Sequence, residues 1–197
     1  MKVLGMCGGS GAGKGYVCQC FAAHGIPSID TDAVYHSLTD RSSPCTAELE
    51  AYFGPSVLHG DGSLNRTALA AIVFAPDGGE KLKKLNEITH KYIKTEAEKE
   101  IERHRQAGAP AVIVDAPALF ESGFDRMCDR VIGVFAPREK RIERILRRDG
   151  ITRERAEARL AKQIPDAELQ ARCHYCIFNG GEDVERQVEA IISDITE

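Results

Sequence analysis

The sequence predicts an α/β domain in which a mainly parallel sheet carries a phosphate-binding loop at its strand ends. Three observations lead there. Apolar, strand-like runs recur at wide spacing, helical patterns fill the intervals, and the first run leads into Gly8-Gly9-Ser10-Gly11-Ala12-Gly13-Lys14. Strands alternating with helices are the signature of βα units around a parallel sheet. A glycine-rich turn between a strand and a helix is suited to anions, because backbone N–H groups and the helix dipole converge there.

Each element has its own signal. Val3-Leu4-Gly5-Met6-Cys7 reads as a buried strand over residues 2–7, and Val17, Cys20 and Phe21 follow at helical spacing after the loop. A second strand is expected over Pro27–Asp30. From about residue 44 to residue 107 the pattern is helical without a strand, with Leu82, Leu85, Ile88, Ile93, Ala97 and Ile101 on one face of a long helix. Gly108-Ala109-Pro110 closes that segment. Ala111–Asp115 is apolar up to its final Asp, as expected of a strand buried on both faces, and Arg130–Phe135 gives a fourth strand. A second helical region runs from Pro137 to about Ala171, broken at Asp149-Gly150 and restarting at Thr152. Tyr175–Phe178 is the last strand-like run.

Bulk composition narrows the function. The 197 residues suffice for one α/β domain with a substantial core and a small inserted subdomain. A net charge of −4 argues against a general nucleic-acid binder. No stretch approaches the length of a membrane span, and glycines and Lys14 interrupt the N-terminal apolar run, so a cytoplasmic protein without a membrane partner is expected. The seven cysteines are scattered and read as reduced thiols. Cys173-His174-Tyr175-Cys176 has metal-ligand spacing, but no second pair completes a four-ligand site. No exposed apolar seam marks a subunit interface.

The residues that carry chemistry begin with the loop. Gly8–Gly15 fits the P-loop pattern G-x-x-x-x-G-K-[ST] at every fixed position but the last, where Gly15 lacks the hydroxyl that helps hold Mg²⁺. Lys14 supplies a point charge for the outer phosphates. Asp30 and Asp32 fall at the end of the second strand, on the ligand-binding edge of a parallel sheet. Asp32 there suits a base, a hydroxyl orienter or a metal ligand, and either Asp equally suits a helix N-cap. Asp115, ending the third strand, is a further candidate for the metal or for a cap. The segment Arg138–Arg148 is strongly cationic, and most of its charges read as a solvated face over Ile142, Ile145 and Leu146. Arg144 and Arg148, four apart, are the candidates for neutralising charge during phosphoryl transfer. Pattern alone does not assign Arg66 or His90.

Further motifs occur in order along nearly the whole chain. They include Gly25-Ile26-Pro27 with Asp30-Thr31-Asp32, Phe53-Gly54-Pro55, Asp61–Arg66 with Ile72-Val73-Phe74, Leu119–Gly123, Arg148–Arg153, Gln163, and Ile177-Phe178-Asn179. Together with the loop they resemble the dephospho-CoA kinase family. The resemblance implies a P-loop kinase fold with a five-stranded parallel sheet flanked by helices. It implies a core of residues 1–43, 108–136 and 172–197, a helical CoA-binding insert at 44–107 and a helical lid at 137–171. The implied reaction moves the ATP γ-phosphate to the ribose 3′-hydroxyl of dephospho-CoA, the last step of coenzyme A biosynthesis. It needs ATP and Mg²⁺; the expected partners are ATP and dephospho-CoA, with no nucleic acid and no membrane, and the sequence does not give the oligomeric state.

By position, Lys14, Asp32 and Arg144 would be catalytic, with Asp32 as base or hydroxyl orienter. Gly11, Ala12, Gly13, Lys14, Gly15, Tyr16, Arg148 and Asn179 would hold ATP, with Asn179 near the adenine. Asp32, Arg66 and His90 would serve the acceptor, and Asp32 and Asp115 the metal. The chain departs from the family pattern at Gly15-Tyr16 for Ser-Thr, at His90-Lys91 for His-Pro, at Ala116-Pro117-Ala118, and at His174 and Phe178. Two other readings are a kinase for another nucleotide-like acceptor and, because of Gly15, a weakly catalytic nucleotide-binding protein.

Overall fold

The computed structural model describes residues 1–181 and 183–196. Its sheet consists of β1 (Lys2–Cys7), β2 (Ser28–Asp30), β3 (Ala111–Asp115), β4 (Arg130–Phe135) and β5 (Tyr175–Phe178), in the order β2-β3-β1-β4-β5. The sheet is parallel, with Val3 opposite Val112, Met6 opposite Ile132, and Val134 opposite Ile177. The central strand is buried from Val3 to Cys7, which explains its unbroken apolar run. The five expected strands are present; β2 is one residue shorter at its start and the others match end to end.

The chain divides into two compact units, Met1–Ile29 with Arg103–Glu197, and Asp30–Glu102. In the first unit, α1 (Lys14–Ala23) and α9 (Val184–Thr196) cover one face of the sheet. Leu4, Met6, Ile113, Ile132, Val134 and Ile177 there meet Val17 and Phe21 of α1 and Val188 and Ile191 of α9. Arg138–Asp149 forms α6, Arg153–Ala161 α7 and Asp166–Ala171 α8. The expected break is real: Gly150 caps α6 in the left-handed conformation, and Thr152 caps α7 by accepting from the Arg155 N–H.

The second unit contains α2 (Thr31–Thr39), α3 (Pro44–Phe53), α4 (Arg66–Val73) and most of α5 (Gly79–Gln106). Ser43 and Thr46 cap α3 reciprocally, with Pro44 in its first turn. Cys45, Leu49, Val57, Leu64, Leu69, Val73 and Ile88 form this unit's core. The unit begins at residue 30, whereas the sequence places the helical insert at 44–107. Tyr35 and Leu38 of α2 pack on the insert's core, and the Leu64 N–H donates to the Thr39 carbonyl at 2.8 Å. At the other end, the last turn of α5 belongs with the sheet. Lys91, standing where the family pattern has Pro, keeps α5 continuous and pairs with Glu48 of α3. No helix among the described residues is long and apolar enough to cross a membrane.

Candidate active site

The phosphate loop spans the end of β1 and the start of α1, and every carbonyl from Gly9 to Gly13 has a donor. Gly9 accepts from the Ala12 N–H at 3.1 Å, and Gly13 from Tyr16 and Val17 of the helix. The three carbonyls between them are held by side chains from the end of the chain. Ser10 accepts from Arg141 Nε at 3.0 Å, Gly11 from Arg144 Nη1 at 3.1 Å, and Ala12 from Arg144 Nη1 at 3.0 Å and Asn179 Nδ2 at 2.9 Å. The C=O and N–H of one planar trans peptide point in opposite directions. Holding these carbonyls against α6 therefore turns the N–H groups of Gly11, Ala12 and Gly13 away from it; that of Ala12 closes on the Gly9 carbonyl, and those of Gly11 and Gly13 have the polarity an anion-binding loop needs.

The glycines follow from how closely the clamp approaches. A Cβ on Gly11, at φ +77°, would lie 2.4 Å from the Arg141 carbonyl, and one on Gly13, at φ +96°, 2.1 Å from Asn179 Nδ2. Gly15 differs, because a Cβ there meets nothing within 4 Å, so its lack of a side chain is not imposed by packing.

Lys14 opens α1 and places its Nζ 3.8 Å from Asp115 Oδ1 at the end of β3. Both side chains are mostly buried, at 17 % and 18 % exposure. This brings together the loop lysine and one of the two candidate metal carboxylates. Tyr16 faces outward, and its hydroxyl donates to Glu185 Oε1 at 3.1 Å, which pushes the phenol up to about 12.

The arginines are arranged differently from the sequence reading. Arg144 also donates to the Asn179 carbonyl at 3.0 Å and its Oδ1 at 3.2 Å, so this guanidinium serves the carbonyl side of the loop. Arg148 is 62 % exposed and is held by Asp149 at 2.6 Å. That contact and Arg159 lower the Asp149 carboxyl to about 2. Arg141, read from sequence as part of a solvated face, is 7 % exposed. Besides Ser10 it contacts Gln163 Oε1 at 2.6 Å and Asp166 Oδ1 at 3.0 Å. Gln163 in turn accepts from the Ser10 N–H at 3.2 Å and donates to its hydroxyl at 3.1 Å. The available signal was the spacing of Arg141, Arg144 and Arg148, which puts all three on one face of α6.

In the second unit, Asp30 is the cap of α2, accepting from the N–H groups of Asp32 at 2.9 Å and Ala33 at 3.1 Å. The two carboxylates are thereby distinguished: Asp30 is committed to the backbone, and Asp32 is exposed on the first turn. Arg66 begins α4 and reaches back to α2, donating to His36 Nδ1 at 3.0 Å, Thr39 Oγ1 at 2.8 Å and Asp40 Oδ1 at 2.7 Å. It therefore fixes α4 against α2 while remaining 42 % exposed. His90 is half-buried on α5, and burial lowers its pKa below the ordinary imidazole value. Among the described residues no group of three or more His, Cys, Asp and Glu stands together as a metal site, Cys173 and Cys176 included.

Comparison with known proteins identifies the family and the fold. The family model for dephospho-CoA kinase matches residues 2–185. The dephospho-CoA kinase of Anaeromyxobacter dehalogenans is 36 % identical over 197 residues, covering 99 % of this chain and 92 % of that protein. The crystal structure of TT1252 from Thermus thermophilus superposes with a TM-score of 0.83 at 31 % identity, covering 100 % of this chain and 98 % of that one. Dephospho-CoA kinase from Campylobacter jejuni shares the fold, with a TM-score of 0.62 at 24 % identity over 98 % of this chain and 97 % of that one. A phosphate loop at the centre of a five-stranded parallel sheet and a family match running almost the full length converge: this chain belongs to the dephospho-CoA kinase family.

Proposed function

We propose that this protein transfers the γ-phosphate of ATP to the ribose 3′-hydroxyl of dephospho-CoA, giving coenzyme A and ADP. The family match over residues 2–185 carries the reading, and the loop geometry supplies its nucleotide half. Phosphoryl transfer relies on positioning and electrostatics, with the attacking and leaving oxygens in line. The N–H groups of Gly11 and Gly13, in the loop that the Ala12 N–H closes on Gly9, and the N-terminus of α1 receive the phosphates, and Lys14 exchanges its contact with Asp115 for the outer phosphate oxygens. Gly15 and Tyr16 follow along the first turn, with Arg148 and Asn179 on the ATP side. Arg144 acts through the loop, holding two of its carbonyls, so its contribution is to positioning.

On the acceptor side, Asp32 takes the proton of the 3′-hydroxyl as the oxygen attacks, a role open to it because Asp30 does the capping. Arg66 and His90 serve acceptor binding, in the insert that would hold the CoA moiety, while residues 137–171 act as the lid. Mg²⁺ fits a site of this composition. It keeps several waters and takes one or two carboxylates plus phosphate oxygens, so the missing hydroxyl at Gly15 removes one ligand that water can replace. Asp115, beside Lys14, would hold it in the sheet unit, Asp32 being the other carboxylate open to such a role, and the ion would supply charge neutralisation at the phosphoryl oxygens.

A coupled kinase assay at saturating ATP and Mg²⁺ tests the acceptor, comparing dephospho-CoA with a panel of nucleoside monophosphates. Dephospho-CoA should be the substrate with the highest kcat/KM. Preference for a mononucleotide, or ATP binding without coenzyme A formation, would refute the reading.

A further inference from the structure

Under the phosphate loop, on the sheet face opposite α1 and α9, two thiols meet. Cys7 is the last residue of β1, and Cys173 lies in the turn from α8 to β5. Their Sγ atoms are 3.6 Å apart. Strand register builds this approach. Cys7 pairs in register with Gly133 on β4, and Gly133 with Cys176 on β5. A Cβ on Gly133 would lie 2.7 Å from the Cys173 Sγ, so it is the missing side chain of Gly133 that admits Cys173 beside Cys7. The turn is pinned on both sides. The Cys173 N–H donates to the Gln170 carbonyl at 3.1 Å, the His174 N–H to the Val131 carbonyl at 2.9 Å, and the Val131 N–H to His174 Nδ1 at 3.1 Å.

The two thiols are not equivalent. Cys7 is 2 % exposed and Cys173 is half-buried, so a soluble oxidant reaches Cys173 first. The hydrogen bond between them and burial push the Cys7 thiol up, while the same hydrogen bond, against the effect of burial and with help from the Arg172 guanidinium, pulls the Cys173 thiol down. Cys173 is thus the sulfur suited to react, and Cys7 the one suited to resolve.

We propose that Cys7 and Cys173 form a redox-responsive dithiol in which a peroxide oxidises Cys173, and Cys7 then closes a disulfide that restrains the phosphate loop. The Cys173 thiolate attacks the O–O bond of hydrogen peroxide, giving a sulfenic acid and hydroxide. Cys7 sulfur displaces hydroxide from the sulfenic sulfur to form the S–S bond, and the protons leave as water. In sum, two thiols and one hydrogen peroxide give one disulfide and two waters.

The cross-link reaches the nucleotide site through a closed mechanical circuit. Forming the bond draws the sulfurs from 3.6 Å to about 2.05 Å. Gly8, directly after Cys7, lies against β4, since a Cβ on it would stand 2.5 Å from the Val134 carbonyl. On the other side α8 carries Asp166, which binds Arg141, which holds the Ser10 carbonyl. The disulfide therefore pulls on the loop from both ends, and displacement of a catalytic loop by an ångström costs up to about 10²-fold in rate.

The test treats the purified protein with hydrogen peroxide, maps disulfides in a non-reducing digest by mass spectrometry, and measures the KM for ATP before oxidation, after it and after dithiothreitol. A peptide linking Cys7 to Cys173 is expected, with a rise of about tenfold in KM for ATP that dithiothreitol reverses. Cys173→Ser and Cys7→Ala should each lose the link and resist inactivation, whereas Cys128→Ser should behave as the parent. If Cys7→Ala does not fold, Cys173→Ser decides alone. A Cys173–Cys176 link in place of the expected one, sulfinic acid at Cys173 without any linked peptide, or the expected link with an unchanged KM for ATP would each overturn the proposal.

Discussion

Replacing Arg141 with Ala tests whether the phosphate loop is held from its carbonyl side. The substitution removes a charged donor from the Ser10 carbonyl at 3.0 Å and from Gln163 Oε1 at 2.6 Å, and a partner from Asp166 at 3.0 Å. These losses are unequal. Asp166 is 45 % exposed and regains water, so its ion pair contributes little. Gln163 keeps the Ser10 N–H. The Ser10 carbonyl and the Gln163 oxygen are the losses that count, and each costs on the order of 1–2 kcal/mol when a charged donor is withdrawn. A total of about 2–4 kcal/mol follows, which lowers Tm by roughly 5–15 °C for a chain of this size. The KM for ATP should rise by about tenfold or more, because the loop loses its fixed orientation. Arg141→Lys should fall between, since an ammonium offers a point donor in place of a fork that spans three acceptors. Thermal unfolding and ATP kinetics read the two effects separately. An Arg141→Ala protein with unchanged Tm and unchanged KM for ATP would show that Arg144 and Asn179 suffice, and would refute the reasoning.

Lys14→Ala should weaken ATP binding by about 1.5–3 kcal/mol, the scale of a charged hydrogen bond, measured by calorimetry. Asp32→Asn should leave that binding intact while cutting kcat by roughly 10²–10⁴, and equal rates would reduce Asp32 to a surface residue of α2. Gly15→Ser should fold without strain, because nothing lies within 4 Å of its new Cβ, and should lower the Mg²⁺ concentration for half-maximal rate. Burial depresses the His90 pKa, so the unfolded chain takes up a proton that the folded one refuses as pH falls through about 6.5. The stability it contributes is present above that value and lost below it. The denaturant midpoint should therefore drop on acidification, and His90→Asn should flatten the drop.

What could be read from the sequence tracks the range of the interaction that decides each feature. β1, β3 and β4 lie where their apolar runs predict, because strands at the centre of a parallel sheet are buried on both faces and their composition says so, while β5, at the edge, buries only Ile177 and still matches its short apolar run. The break between α6 and α7 is likewise local, written in Gly150 and Thr152. Sequence reasoning singles out Asp32 as the functional carboxylate although either Asp suits a cap, and it is the extended backbone at Asp30, φ −84° and ψ 108°, that makes Asp30 the cap. Arg141 was hidden for a different reason. Charge periodicity shows which face of α6 is cationic, but not that the acceptors covering that face are the carbonyls of a loop 131 residues earlier.

That separation has a consequence for biosynthesis of the molecule itself. The nucleotide motif is complete once the first fifteen residues have been translated, yet its carbonyls are claimed by Arg141, Arg144 and Asn179. β1 also needs β3 and β4 on either side before it is a central strand at all. A nascent chain that stops short of Arg141 therefore carries the loop's sequence without the side chains that hold its carbonyls. The motif and the groups that shape it are thus made at opposite ends of synthesis, with the arginines following more than a hundred residues behind the glycines they hold.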